Sequence, residues 1–130
     1  MHMLRVSHLD IKPDNIVVSS TGGGKAMLID FNSVESFDDD TKLMDVCGTK
    51  AYESYESHRG DLVIPEKYDM YSLGATVYTL FYGKLIDFEG IQYGGDTPEP
   101  ILKVMQGLMT ERAEDRWNWD DVFGCELFKS

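Results

Sequence analysis

Between Tyr68 and Phe81 the chain places apolar side chains on nearly every side of a helix, and this stretch constrains the fold more than any other. Met70, Leu73, Val77, Leu80 and Phe81 share one face, while Ala75, Tyr78 and the following Tyr82 take the rest. A helix of that kind must be covered by other elements, so it belongs in the middle of a domain. Asp69 falls in the expected first turn, where a carboxylate meets exposed amides and the positive end of the dipole, and Gly83 is placed to end the helix.

The rest of the pattern is shorter-ranged. A further helix is expected after Thr97-Pro98-Glu99-Pro100, with Ile101, Leu102, Met105, Leu108 and Met109 as its apolar stripe. A last one should start at Asn118, capped by that side chain, with Asp121 completing a variant capping box and Val122, Phe123 and Leu127 facing inward. Ile16-Val17-Val18 and Ala26-Met27-Leu28-Ile29 read as two strands of a β-hairpin joined by a turn-rich connection. Its three glycines do not make a phosphate loop: position 19 is Ser, where that pattern needs Gly, and Ala26 stands where it needs Ser or Thr. From Asn32 to Thr49 no period emerges, and a long, largely irregular segment is expected.

Composition sets the surroundings. With 130 residues the chain is one unit, and 12 Lys+Arg against 23 Asp+Glu give a net charge of −11, which disfavours nucleic acid and anionic lipid surfaces. Cys47 and Cys125 form neither a disulfide framework nor a metal spacing, which points to reduced thiols and an intracellular, cytoplasmic setting. Met1 to Arg5 lacks a signal-peptide core, and the longest apolar-rich run, Leu73 to Tyr82, falls well short of the roughly 18 residues a membrane span needs.

The chemistry concentrates near the start. His8-Leu9-Asp10-Ile11-Lys12-Pro13-Asp14-Asn15 gathers an acid, a cation and an amide, and antiparallel strands would return Asp30 to the neighbourhood of Asn15. Phosphoryl transfer asks for placement and for charge opposite phosphate oxygens, and these groups can supply both. Asp10 can accept the hydrogen bond of an attacking hydroxyl. Lys12 can neutralise the moving phosphate, and Asn15 with Asp30 can offer oxygen ligands to Mg²⁺. Alone, the HxDxKxxN pattern reads equally as a solvated polar loop; Asp30-Phe31 after a hairpin of suitable length tips the balance toward a site.

In these residues the chain resembles the eukaryotic protein kinase family, Ser/Thr type. His8 to Asn15 looks like the catalytic loop HRDLKPEN, and Asp30-Phe31-Asn32 like the DFG triplet. Gly48-Thr49 with Tyr52 and Glu56 resembles the GTxxYxxPE end of the activation segment, Asp69 to Gly74 resembles DxWSLG, and Arg116 fits the family's late arginine. The resemblance implies an α+β, protein-kinase-like fold limited to the large C-terminal lobe, mainly helical with a β-hairpin, the N-terminal lobe being absent. Residues 1–130 would then be one partial kinase domain running from the catalytic loop through the DFG-like and activation segments to helices F to I.

The roles it implies are specific. Asp10 would be the catalytic base, Lys12 the γ-phosphate contact, Asn15 and Asp30 the Mg²⁺ ligands, and Thr49 a hydroxyl bracing Asp10 and Lys12. Lys12 favours Ser/Thr over Tyr substrates. Glu56 and Arg116 would form a buried ion pair, and Asp69 would hold the catalytic-loop backbone. Departures carry information too. Leu9 replaces the arginine that grips a phosphorylated activation loop, which argues against that control. Asp38-Asp39-Asp40 reads as a solvated acidic loop rather than a phosphate mimic. Asn32 replaces Gly, at a turn Asn tolerates, and Ser54-Tyr55-Glu56 stands where APE is expected.

No glycine-rich loop, VAIK-type lysine or hinge occurs in the sequence. The expectation is therefore an incomplete Ser/Thr kinase domain, transferring phosphate from Mg²⁺-ATP to protein hydroxyls when complete, and inactive with weak ATP binding by itself. Part of the apolar surface of residues 68–81 should then be uncovered. One alternative is a non-catalytic pseudokinase module that meets a partner protein through the uncovered face; another is a kinase-like small-molecule phosphotransferase.

Overall fold

Ile64 holds an extended backbone and Pro65, which has no N–H to lose, opens the long helix at its first position. The helix therefore begins three residues before Tyr68 and runs Pro65–Tyr82. Asp69 consequently lies beyond the first turn, where Glu66 sits instead. At the other end Gly83 takes the left-handed conformation, φ 71°, and its N–H closes on the Thr79 carbonyl at 2.8 Å.

The computed structural model describes residues 5–18, 26–28, 35–37, 50–86, 91 and 93–124. Within them the strands are β1 (Arg5–Ser7), β2 (Ile16–Val18), β3 (Ala26–Leu28) and β4 (Glu35–Phe37), and the helices are α1 (Tyr55–His58), α2 (Pro65–Tyr82), α3 (Glu99–Leu108) and α4 (Trp119–Gly124). β1 pairs antiparallel with β4, Val6 opposite Ser36, and β2 pairs antiparallel with β3, Ile16 opposite Leu28. The loop of residues 8–15 is thus slung between two separate strand pairs. β4 falls inside the segment from Asn32 to Thr49 that is expected to be largely irregular: its three residues are too few to show a period, and its partner lies some thirty positions upstream. The connection 19–25 of the expected hairpin lies outside the described residues.

The all-round apolar character of α2 is explained by three separate clusters. Tyr71, Ala75 and Tyr78 pack with Tyr52, Ile86, Met105 and Met109. Met70 meets Val104, Leu108 and Val122 from α3 and α4, and Tyr68 meets Leu9 and Val63. Gly74 lets α2 and α3 approach closely, since a Cβ there would lie 2.6 Å from Met109 Cγ and 2.8 Å from Leu108 Cβ. The last turn of α2 departs from the pattern, with Leu80 65% and Phe81 43% exposed. Among the described residues no helix is long and apolar enough to cross a membrane.

On α3 the buried residues are Val104, Met105 and Leu108, followed by Met109, while Ile101 and Leu102 are half-buried. Asn118 caps α4 in a reciprocal box: its Oδ1 accepts from the Asp121 N–H, and Asp121 Oδ2 accepts from the Asn118 N–H, both at 3.0 Å. Val122 faces inward at 3% exposure; the side chains of Phe123 and Leu127 lie outside the described residues.

Gly107, inside α3, sits under the Trp117 indole, and a methyl group added there would land on the ring carbons and Nε1. The Trp117 main-chain N–H also donates to the Gly107 carbonyl at 3.0 Å, so the two backbones are held together at this contact. Gly107→Ala should therefore cost about 1–3 kcal/mol through overpacking, outweighing a helix-propensity gain of up to about 1 kcal/mol. Urea unfolding followed by circular dichroism checks it; a neutral or stabilised variant would show that the contact is soft.

Alkali tests the tyrosine core. Burial pushes Tyr71 well above the ordinary tyrosine value of 10.0, raises Tyr55, and pushes Tyr93 up to about 12. A group whose pKa is raised on folding contributes stability that is full below its unfolded value and is lost as pH climbs through the folded one. The fold should therefore lose stability from about pH 10 upward. Lys67, whose pKa burial lowers, works the other way in the range below the ordinary lysine value of 10.5, but as one group against three. Near-UV dichroism should be lost in one cooperative step, and the last part of the tyrosinate absorbance should appear with it. Complete tyrosine ionisation before any loss of near-UV signal would contradict the burial assignment.

Candidate active site

The loop of residues 8–15 takes its shape from one carboxylate. Asp69, 2% exposed on α2, accepts the His8 N–H on Oδ2 and the Leu9 N–H on Oδ1, each at 2.8 Å. Leu9 has φ 64°, the left-handed region that costs a non-glycine residue about 1–2 kcal/mol. Two charge-assisted bonds from Asp69 and the burial of the Leu9 side chain against Val63 and Tyr68 hold it there. The side chain that stands in the arginine position of the resembled loop is thus a core residue here.

Past that bend the loop turns its polar groups toward one another. His8 Nδ1 accepts the Asp10 N–H at 3.2 Å, and Ile11, 1% exposed, anchors the loop from beneath. A 3₁₀ turn over Pro13–Asn15 follows, with the Asn15 N–H on the Lys12 carbonyl at 3.0 Å. The buried Asn15 side chain donates through Nδ2 to the Asp10 carbonyl at 2.9 Å and to Asp10 Oδ2 at 3.4 Å. Lys12 Nζ lies 3.8 Å from Asp10 Oδ2, with both side chains partly exposed. One carboxylate, one ammonium and one amide therefore converge on a loop whose Asp10 and Lys12 side chains stay partly exposed.

Since its Nδ2 faces Asp10, the planar amide of Asn15 directs Oδ1 the other way. A neutral oxygen of that kind, joined by a carboxylate, is the hard donor set that Mg²⁺ takes. Among the described residues no group of three or more His, Cys, Asp or Glu could hold a metal. Asp30 and Thr49, the other two expected site residues, lie outside the described residues.

A second constellation braces the segment at 50–56. Arg116, whose side chain is fully buried, meets Glu56 in a fork: Nη1 to Oε2 and Nη2 to Oε1, both 2.9 Å. Its remaining donors are used as well, Nε on the Thr110 carbonyl at 2.9 Å, Nη1 on that of Lys67 at 2.8 Å and Nη2 on that of Glu111 at 3.2 Å. The guanidinium also lies 5.3 Å from the centroid of the Tyr71 ring. Lys67 Nζ donates in turn to the Arg116 carbonyl. Ser72 Oγ, the serine of the DxWSLG-like stretch, to which the resemblance assigned no role, donates to the Tyr52 carbonyl at 2.8 Å and so fastens the segment to α2. Ser54, in the place of the expected alanine, caps α1 with a long bond of 3.4 Å to the Ser57 N–H.

The family model of the protein kinase domain matches residues 1–123 of the chain. The chain belongs to the protein kinase family. This kinase-family chain is 37% identical over 107 residues to myosin light chain kinase 2, skeletal/cardiac muscle, of Oryctolagus cuniculus, covering 82% of the chain and 17% of that protein. Its identity to the Homo sapiens protein of the same name is 36% over 107 residues, with the same coverage. It is 37% identical over 86 residues to serine/threonine-protein kinase PknB of Mycobacterium leprae, covering 64% of the chain and 13% of that protein. The kinase-family chain thus spans about a sixth of the length of the muscle kinases it matches.

Proposed function

We propose that the chain is the large-lobe part of a Ser/Thr protein kinase, with Asp10 as catalytic base, Lys12 at the transferred phosphate and Asn15 with Asp30 toward Mg²⁺. The observation that carries this reading is the convergence of Asp10, Lys12 and Asn15 on a loop whose backbone is fixed from the core by Asp69. When bound, Mg²⁺-ATP supplies the phosphoryl group and the cation that balances its charge. Asp10 would take the hydrogen bond of the substrate hydroxyl and orient it, while Lys12, close enough to feel that carboxylate, would pass from it to the phosphate. Asn15 holds the Asp10 main chain through Nδ2, which leaves Oδ1 as the atom it would offer to Mg²⁺. The β2–β3 register, Ile16 opposite Leu28, supports a hairpin that returns Asp30 toward Asn15, and the resemblance supports Thr49 as the hydroxyl that braces Asp10 and Lys12.

Protein serine and threonine hydroxyls are the substrate class, on the strength of Lys12 and of the Ser/Thr kinase among the matched proteins. The test is transfer of labelled γ-phosphate by the full-length protein to mixed Ser/Thr and Tyr peptides. Label confined to Ser and Thr and abolished by a chelator is expected; label on Tyr, or none with any peptide, would overturn the reading.

One observation favours a second reading, a non-catalytic module that binds a partner protein. Leu80, Phe81 and Leu85 are exposed near the end of α2, Leu85 at 58%, and form an apolar surface that a partner could cover. The same transfer assay separates the two, since a module of this kind carries no label to any peptide.

A further inference from the structure

Away from the loop of residues 8–15, a groove of about 300 Å³ runs between the segment that leaves α1 and the turn at 112–114. That is the small end for a ligand pocket, with room for one anchoring side chain and its flanks. Leu62, Ile64 and Ala113 line it, and Leu62 is 52% exposed although it is a large aliphatic residue. Charged groups ring this apolar lining. Arg59 binds Asp61 at 3.2 Å and reaches across to Glu111 at 3.3 Å. Arg112 lies 2.6 Å from Glu114 and 3.9 Å from Asp115.

Glu56 in the lining is neutralised by Arg116, so the local balance is set by two guanidiniums and four carboxylates, Asp61 and Glu114 in the lining and Glu111 and Asp115 just beyond it, 2 − 4 = −2. An incoming anion would have to displace a carboxylate from each arginine. A cation would not, since a carboxylate accepts at about four lone-pair positions and keeps room for a second donor. The chain's charge of −11 adds a field that steers cations inward. We propose that this groove docks an extended segment of another protein in which an aliphatic side chain is flanked by Arg or Lys. The aliphatic group lies against Leu62 and Ile64, and the flanking cations meet Asp61 and Glu114. The surface is separate from the proposed transfer site and does not depend on it.

Fluorescence anisotropy with the full-length protein tests this, using a labelled synthetic peptide that carries leucine between two arginines in a Gly/Ser background. It should bind about tenfold more tightly than the same peptide with glutamates for arginines, or with glycine for leucine, and its affinity should fall with salt. Leu62→Asp and Glu114→Lys, both at exposed positions and checked for folding by circular dichroism, should each weaken binding about tenfold. Asp10→Ala should leave it unchanged. Equal affinity for the glutamate peptide, indifference to both groove variants, or loss in Asp10→Ala would overturn the proposal.

Discussion

Arg116→Ala should lower the stability of the fold by about 3–5 kcal/mol, a large share of the roughly 5–15 kcal/mol a domain of this kind has. The substitution strips five hydrogen bonds at once. Glu56 is left as a buried carboxylate without its counter-charge, and the part-buried carbonyls of Lys67, Thr110 and Glu111 lose their donor. Arg116→Lys should recover little, because an ammonium has three donors on a flexible stem and cannot reproduce the fork on Glu56 or the contact with the Tyr71 face. Removing both charges together, as Glu56→Leu with Arg116→Met, should cost less than Arg116→Ala alone, since no uncompensated charge remains. Urea denaturation of the four proteins reads this directly: a slope of about 1–3 kcal/mol per molar places the midpoint of Arg116→Ala at least about 1 M below the parent. A loss under about 1 kcal/mol would mean that water replaces the guanidinium in solution.

How much of this was legible in the sequence depended on whether a residue's role was fixed by its neighbours in the chain. The Glu56–Arg116 pair and the hold of Asp69 on the loop were readable only through the resemblance, since their partners lie about sixty positions apart. The local reading of Asp69 as a first-turn residue was wrong, because Pro65 after Ile64 starts the helix earlier; the proline was the signal, and it outranks the run of apolar residues that follows. Val104 is open to periodicity, lying three after Ile101 and four before Leu108, although it lies outside the stripe of Ile101, Leu102, Met105, Leu108 and Met109. β4 was not legible at all, for three residues show no period and nothing local announces a partner at Arg5–Ser7. Leu9 illustrates the opposite case: the sequence showed what was missing, the arginine, while the structure shows what took its place, a buried leucine in a left-handed bend.

Asp10→Ala should lower phosphate transfer by the full-length protein about 10²–10⁴-fold, the range a positioned acid–base group supplies, while leaving the fold nearly as stable as before. The two halves of that expectation rest on different atoms. The loop is shaped by main-chain bonds to Asp69, by the Asp10 N–H on His8 and by Asn15 Nδ2 on the Asp10 carbonyl, all of which survive the loss of the Asp10 side chain. The 3.4 Å contact with Asn15 and the 3.8 Å pair with Lys12 are lost, and a partly exposed pair of that length is worth under about 1 kcal/mol. Asp69→Asn supplies the contrasting case. Its amide offers one acceptor where two N–H groups point, so one of the paired bonds is lost and the left-handed Leu9 loses half its support. That variant should lose stability and transfer together, whereas Asp10→Ala should lose transfer alone. Were Asp10→Ala to keep more than about a tenth of the parent rate at unchanged stability, the carboxylate would be an ornament of the loop and the base would have to be sought elsewhere.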